Sequence, residues 1–124
     1  MYNYFMITGT VCKPVEVKEV NGKRVVNLVL ACTRPFPEVD GTRGTDFFKI
    51  SLWEALADIA NDYLKVGIPV GIKGRLHPRL TTLETGAKIY IYELIGERII
   101  NDFVTPKYEN VPDELLNMDD VKED

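Results

Sequence analysis

The chain has 124 residues, 45% of them hydrophobic, with two cysteines, one histidine and a formal net charge of −4. That length suits one domain with a short tail. No apolar run is long enough for a membrane-spanning helix, and two distant cysteines with a lone histidine do not make a metal site. The charge is unevenly spread: residues 1–100 hold 13 Lys and Arg against 11 Asp and Glu, a surplus of two positive charges, whereas residues 101–124 hold 2 against 8, a deficit of six. A mildly basic body therefore carries an acidic end.

Met1-Tyr2-Asn3-Tyr4 provides no basic region ahead of an apolar stretch, so it does not read as a secretory signal, and a cytoplasmic location is expected. Tyr4 to Cys12 reads as a first strand that Pro14 interrupts. Val15 to Val20 mostly alternates and predicts strand; Asn21-Gly22 then signals a hairpin turn, since both turn residues must accept positive φ. Val25 to Thr33 is the return strand, and its run Leu28-Val29-Leu30-Ala31-Cys32 predicts burial on both sides for part of its length. Cys12 and Cys32 each lie in an apolar run and are expected to be small hydrophobes, not a disulfide.

Arg34 to Thr45, with Pro35, Pro37, Gly41 and Gly44, predicts a loop. Asp46 to Trp53 is the next strand. Alternation points Phe48, Ile50 and Leu52 at a core and Phe47, Lys49, Ser51 and Trp53 the other way. Rings interleaved with a cation supply π-faces for bases and charge for phosphates, which is what a single-stranded nucleic acid requires. Equally, large rings fill cores and subunit interfaces, so that alternative stands beside it.

Glu54 to Leu64 predicts a helix whose apolar face is Leu56, Ile59, Ala60, Tyr63 and Leu64, ended by Lys65 and Gly67. Ile68 to Leu76 is a strand with Ile68, Val70, Ile72 and Leu76 on one face. Lys73, Arg75, His77 and Arg79 share the opposite parity; they form either a solvated face or, beside the Phe47 face, a phosphate track. Thr81 to Ala87 connects to a strand over Lys88 to Ile95, with Ile89 and Ile91 inward, Tyr90 and Tyr92 outward, and a bulge near Glu93. Tyr90 and Tyr92 fit a second stacking surface or a subunit contact. No nucleophile, base and orienting group can be named together, so neither enzyme chemistry nor a cofactor is expected. The expected division is a domain over residues 1–103 and an acidic tail over 104–124.

Few short antiparallel strands, with one helix between the third and fourth main strands, point to an all-β fold: the five-stranded Greek-key barrel called the OB-fold.

Five segments carry a family resemblance: Leu30-Ala31-Cys32-Thr33-Arg34-Pro35-Phe36, Thr45 through Trp53, Asp62-Tyr63-Leu64-Lys65, Gly74-Arg75-Leu76 and Lys88-Ile89-Tyr90-Ile91-Tyr92-Glu93. In order and spacing, from the N-terminus to about Ile100, they resemble the bacterial single-stranded DNA-binding proteins. The resemblance implies an OB-fold homotetramer that wraps single-stranded DNA in replication, recombination and repair. It puts stacking rings at Phe36, Phe47 and Trp53 and phosphate contacts at Arg34, Lys49, Lys73, Arg75 and Arg79. It also implies that the acidic tail recruits replication or repair proteins.

The chain departs from the family twice. Leu80-Thr81 stands where some members carry a further aromatic, and the end, Asp119-Asp120-Val121-Lys122-Glu123-Asp124, lacks the family's apolar tip. Pro112 to Met118 offers apolar groups instead, with a short helix expected from the proline. The atypical end implies either altered partner docking or a phage, plasmid or mobile-element version, and the two departures keep open an OB-fold assembly subunit of the primosome type, acting mainly through protein contacts. An RNA-binding barrel is a third reading.

Overall fold

The computed structural model describes residues 1–100. The expected tail over 104–124, with its short helix, lies outside them, as do the last residues of the expected domain. Alternating apolar residues build six strands, β1 (Phe5–Val11), β2 (Val17–Val20), β3 (Lys23–Pro37), β4 (Arg43–Trp53), β5 (Pro69–Thr82) and β6 (Lys88–Ile100), with one helix, α1 (Ala55–Tyr63), between β4 and β5. The strands pair in the order β1-β5-β6-β4-β3-β2, and β1 also pairs with β3. That second pairing closes the sheet into an OB-fold barrel. All pairs are antiparallel except β4 with β6.

β2 continues β1 along the same edge of β3. Val11 sits opposite Leu30 and Val17 opposite Val26. Two extra residues are therefore taken up where Pro14 breaks the ladder, as a residue without an N–H must. The predicted turn is present, with Asn21 and Gly22 at φ 52° and 79°.

The interior is aliphatic. Val11, Val26, Leu28, Leu30, Ile50, Leu52, Val70 and Ile72 are buried from the strands, joined by Ala57, Ala60 and Leu64. Val29 and Ala31 are half-buried on the other face of β3, in keeping with the expected two-sided burial. Both cysteines are free and half-buried.

Five expectations are corrected. The helix buries Ala57 and Ala60 and half-buries Leu56, while Ile59 and Tyr63 face solvent. Small side chains let the helix axis lie close to the barrel, so the contact face centres on alanine and not on the larger residues. The loop expected over Arg34–Thr45 shrinks to a tight connection, because β3 runs on to Pro37 and β4 starts at Arg43. A bulge admits the two prolines into the strand.

β5 and β6 are also longer than their hydropathy suggests, pairing from Gly71 with Ile100 out to Thr82 with Lys88. Beyond the barrel this hairpin covers no core on either face, and Ile89 and Ile91 are exposed at 42% and 37% instead of inward. The bulge expected near Glu93 falls at Glu97, between the pairs Lys73–Arg98 and Gly74–Gly96.

The junction of β4 and α1 is held by Arg24. Glu54, at φ 53°, donates its backbone N–H to the Arg24 carbonyl at 2.9 Å, and its carboxylate accepts the Arg24 backbone N–H at 2.8 Å. The Arg24 guanidinium donates twice to Asp58, each at 3.0 Å. These contacts hold Glu54 in a left-handed conformation that a non-glycine residue rarely adopts, and so fix the end of the strand that carries Trp53.

Gly9 sits where β1 passes from β5 to β3. A Cβ there would lie 2.7 Å from both the Ala31 carbonyl oxygen and Cys32 Sγ. Gly9→Ala is expected to destabilise the fold by about 1–3 kcal/mol through overpacking. A lower urea midpoint with an unchanged m-value is the result to look for; an unshifted midpoint would show that the closure has slack.

Candidate nucleic-acid interface

β4 carries the centre of the site. Its inner positions Ile50 and Leu52 are fully buried and Phe48 is half-buried. The outer positions are Phe47, Lys49, Ser51 and Trp53. Phe47 is 66% exposed, Lys49 is exposed and Trp53 is half-buried. Neither ring belongs to the interior. At roughly 3.3 Å per residue, the Phe47-to-Trp53 ribbon is about 20 Å long.

Val25, Asn27, Val29 and Ala31 of β3 stand opposite Trp53, Ser51, Lys49 and Phe47. Beside Trp53 is an open, largely apolar recess of ≈ 380 Å³ lined by Val20, Asn21, Lys23 and Glu54. Val20 and Lys23 did not emerge from the sequence as site residues. Their only signal is the Asn21-Gly22 turn, and its placement next to Trp53 needs the β3–β4 register.

Phe36 is 76% exposed near the tip of the β3–β4 hairpin. The tip is ordered by Asp40, which accepts from the Thr42 N–H at 3.0 Å and the Thr42 hydroxyl at 2.7 Å. These bonds hold the Asp40 carboxyl below its ordinary range. Lower on the hairpin, Arg34 donates to Asp46 from Nη2 at 2.8 Å and from Nε at 3.1 Å, and to Glu38 from Nη1 at 3.2 Å. The hydrogen bond from Arg34 pulls the Asp46 carboxyl down. Burial pushes the Cys32 thiol up, helped by the negative charge of Asp46.

The basic stripe of β5 is not adjacent to β4. β6 lies between them: Ser51 pairs with Ile95, and Ile95 pairs with Arg75. Arg75 is thus two strands away, about 10 Å across the sheet. β6 also contributes acids. Arg75 Nε lies 3.2 Å from Glu97 and Arg79 Nε 2.9 Å from Glu93. Of the five predicted cations, Arg34, Arg75 and Arg79 are each paired with a carboxylate. Lys49 and Lys73 have no ion-pair partner among the described residues, and Lys73 lies 5.5 Å from the centre of the Tyr4 ring.

An OB-fold barrel with one exposed and one half-buried ring on the outer face of β4 defines the class. The family model described as the Single-strand binding protein family matches residues 2–101, and the chain belongs to that family. It is 30% identical over 108 residues to a single-stranded DNA-binding protein of Halalkalibacterium halodurans, covering 86% of this chain and 63% of that one. It is 29% identical over 124 residues to single-stranded DNA-binding protein 1 of Staphylococcus aureus strain Mu50, covering 99% and 78%. The chain thus spans under two-thirds of the length of the first relative and about three-quarters of the second.

Among solved structures, a Plasmodium falciparum SSB in complex with ssDNA aligns at a TM-score of 0.64 and 25% identity, covering 81% of this chain and 94% of that one. A small single-stranded DNA-binding protein from Streptomyces coelicolor, at a TM-score of 0.60 and 24% identity, covers 80% and 94% and shares the fold.

Asp40 and Asp46 titrate below the ordinary carboxylate value of about 3.9. A depressed carboxylate stabilises above its unfolded pKa and loses that effect as pH falls through the folded one. The hairpin tip is therefore expected to keep its contacts from neutrality down to about pH 4 and to release them below it. The Thr42 amide resonance should shift only in the acid range; a midpoint at or above 3.9 would contradict the geometry.

Proposed function

We propose that this protein binds single-stranded DNA without sequence preference, as in replication, recombination and repair, with bases stacking on Phe36, Phe47 and Trp53. The observation that carries this reading is the outer face of β4, where two accessible rings flank a lysine while the inner face is packed core. The backbone of the nucleic acid is charged at every step, so a cation between two rings meets a phosphate whichever bases are stacked.

Among the described residues Lys49 and Lys73 have no carboxylate partner, so of the five cations they are the ones placed to take a phosphate directly. Arg34, Arg75 and Arg79 lie on the proposed path with their charges partly met by Asp46, Glu97 and Glu93. The family relationship supports a homotetramer in the cytoplasm and an acidic tail that engages replication or repair proteins. Exposed Tyr2, Tyr4 and Met6 around β1, with Tyr90 and Tyr92 on β6, offer surface for contact between copies. Among the described residues no helix is long and apolar enough to cross a membrane.

The neutralised arginines favour one rival, a barrel acting mainly through protein contacts. The two readings separate on Trp53. Its fluorescence should be quenched by oligo-dT, in a complex that weakens steeply with salt as counterions are released. Phe47→Ala should cost about 1–3 kcal/mol of binding. A complex indifferent to Trp53→Ala and to salt would support the protein-contact reading, and equal affinity for RNA of the same length would remove the preference for DNA. Solution mass with and without the oligomer reads the assembly state.

A further inference from the structure

The β3–β4 hairpin contains a bulge whose geometry bears on Arg34. Thr33 pairs with Thr45 and Pro37 with Arg43. Three residues of β3, Arg34-Pro35-Phe36, therefore oppose a single residue of β4, Gly44. Neither Pro35 nor Pro37 has an N–H to give to the ladder. Two guanidinium groups brace the bulge, one on its carbonyls and one on nearby carboxylates. Arg43 donates from Nη1 to the Arg34 carbonyl at 3.3 Å and also to the Pro35 carbonyl, capping the oxygens that the bulge frees. Arg34 crosses the backbone of Gly44 to reach Asp46 and Glu38, so closely that a Cβ on Gly44 would lie 2.9 Å from its Nη1.

We propose that Arg34 is a positioning residue, which with Asp46 pins this bulge and holds Phe36 out as a preformed stacking platform, and is not itself a phosphate ligand. The inference rests on the single-stranded DNA reading above. Its physical content is preorganisation. A bulge tip free to wander must be ordered when a base arrives, and that cost is subtracted from binding. A planar fork that donates to both oxygens of a carboxylate fixes direction as well as distance, which a lysine ammonium cannot do. With its guanidinium committed to Asp46 and Glu38, Arg34 has little left to offer a phosphate.

The two roles for Arg34 make opposite predictions for its partner. Asp46→Asn removes a negative charge from the DNA path. If Arg34 contacts phosphate, that change frees it and binding tightens or stays the same. If Arg34 positions Phe36, binding weakens in spite of the favourable change in charge. Oligo-dT affinity should be measured across a salt series for the full-length wild type and for Arg34→Lys, Arg34→Ala, Asp46→Asn, Phe36→Ala and the Phe36→Ala/Asp46→Asn double variant.

We expect Arg34→Lys, Arg34→Ala and Asp46→Asn each to weaken binding, with loss of the Phe36 platform, on the order of 5- to 150-fold, as the ceiling. The salt slope of Arg34→Ala should match wild type. The double variant should be no weaker than Phe36→Ala alone. Tighter or unchanged binding by Asp46→Asn, full affinity in Arg34→Lys, or a salt slope reduced by about one phosphate in Arg34→Ala would each overturn the proposal. If Arg34→Ala fails to fold, the lysine and asparagine variants still decide. If the wild type itself does not bind oligo-dT, the functional reading falls and takes this inference with it.

Discussion

Closure of the barrel through β1 is the constraint on which the rest depends. Residues Phe5 to Thr10 pair with β5, and Thr10 and Val11 also pair with β3. One strand thus satisfies backbone groups on two sides, and Gly9 at the crossover gives the chains room to approach. Once the sheet is closed, its aliphatic side chains fill the interior and one mouth is covered by the alanines of α1. The outer face of β4 is then left without a structural task. Phe47 and Trp53 need not support the core, and their accessible rings become the feature that calls for an explanation.

On the proposed reading, electrostatics is secondary to stacking. The described body carries only two surplus positive charges, and three of the five arginines and lysines on the proposed path already face acids. Exposed ion pairs of this kind are worth about 0–1 kcal/mol each, whereas one stacked base contributes about 1–3 kcal/mol. At Arg75 and Arg79, each held by one carboxylate, a phosphate can therefore displace the acid at small cost, but on this reading the rings dominate the balance. The same arithmetic assigns another use to the pairs near the rings. Arg24 with Asp58 fixes the end of the strand bearing Trp53, and Arg34 with Asp46 fixes the bulge bearing Phe36. Both are bidentate, which adds directional restraint where net energy is small.

Much of this was legible in the chain itself. Alternation over Asp46–Trp53 separated the buried Ile50 and Leu52 from the accessible Phe47 and Lys49, because a strand period of two admits only one assignment once one face is apolar. Asn21-Gly22 marked its turn, and the helix lay where its hydropathy put it. The outer reaches of β3 and β5 were not legible. Those stretches extend past the core, so neither face is buried and no apolar rhythm marks them; backbone pairing alone holds them. The helix face was misjudged at Ile59 and Tyr63 because side-chain size, which sequence patterns reward, opposes the close approach that Ala57 and Ala60 allow.

By itself the sequence determined the faces of β4, the barrel class and the membership that its motifs resembled, since these follow from local alternation and from residue type; alternation also selected Phe47 and Trp53 as candidate rings, while Phe36 came from the resemblance alone. Only the tertiary structure decided which charges meet which. It inserted β6 between β4 and β5, set Glu93 and Glu97 against Arg79 and Arg75, and laid Arg34 across Gly44 onto Asp46. Partners such as Arg75 and Glu97 or Arg24 and Asp58 lie 22 and 34 residues apart. Their meeting depends on strand order and register, which no local period in the chain encodes.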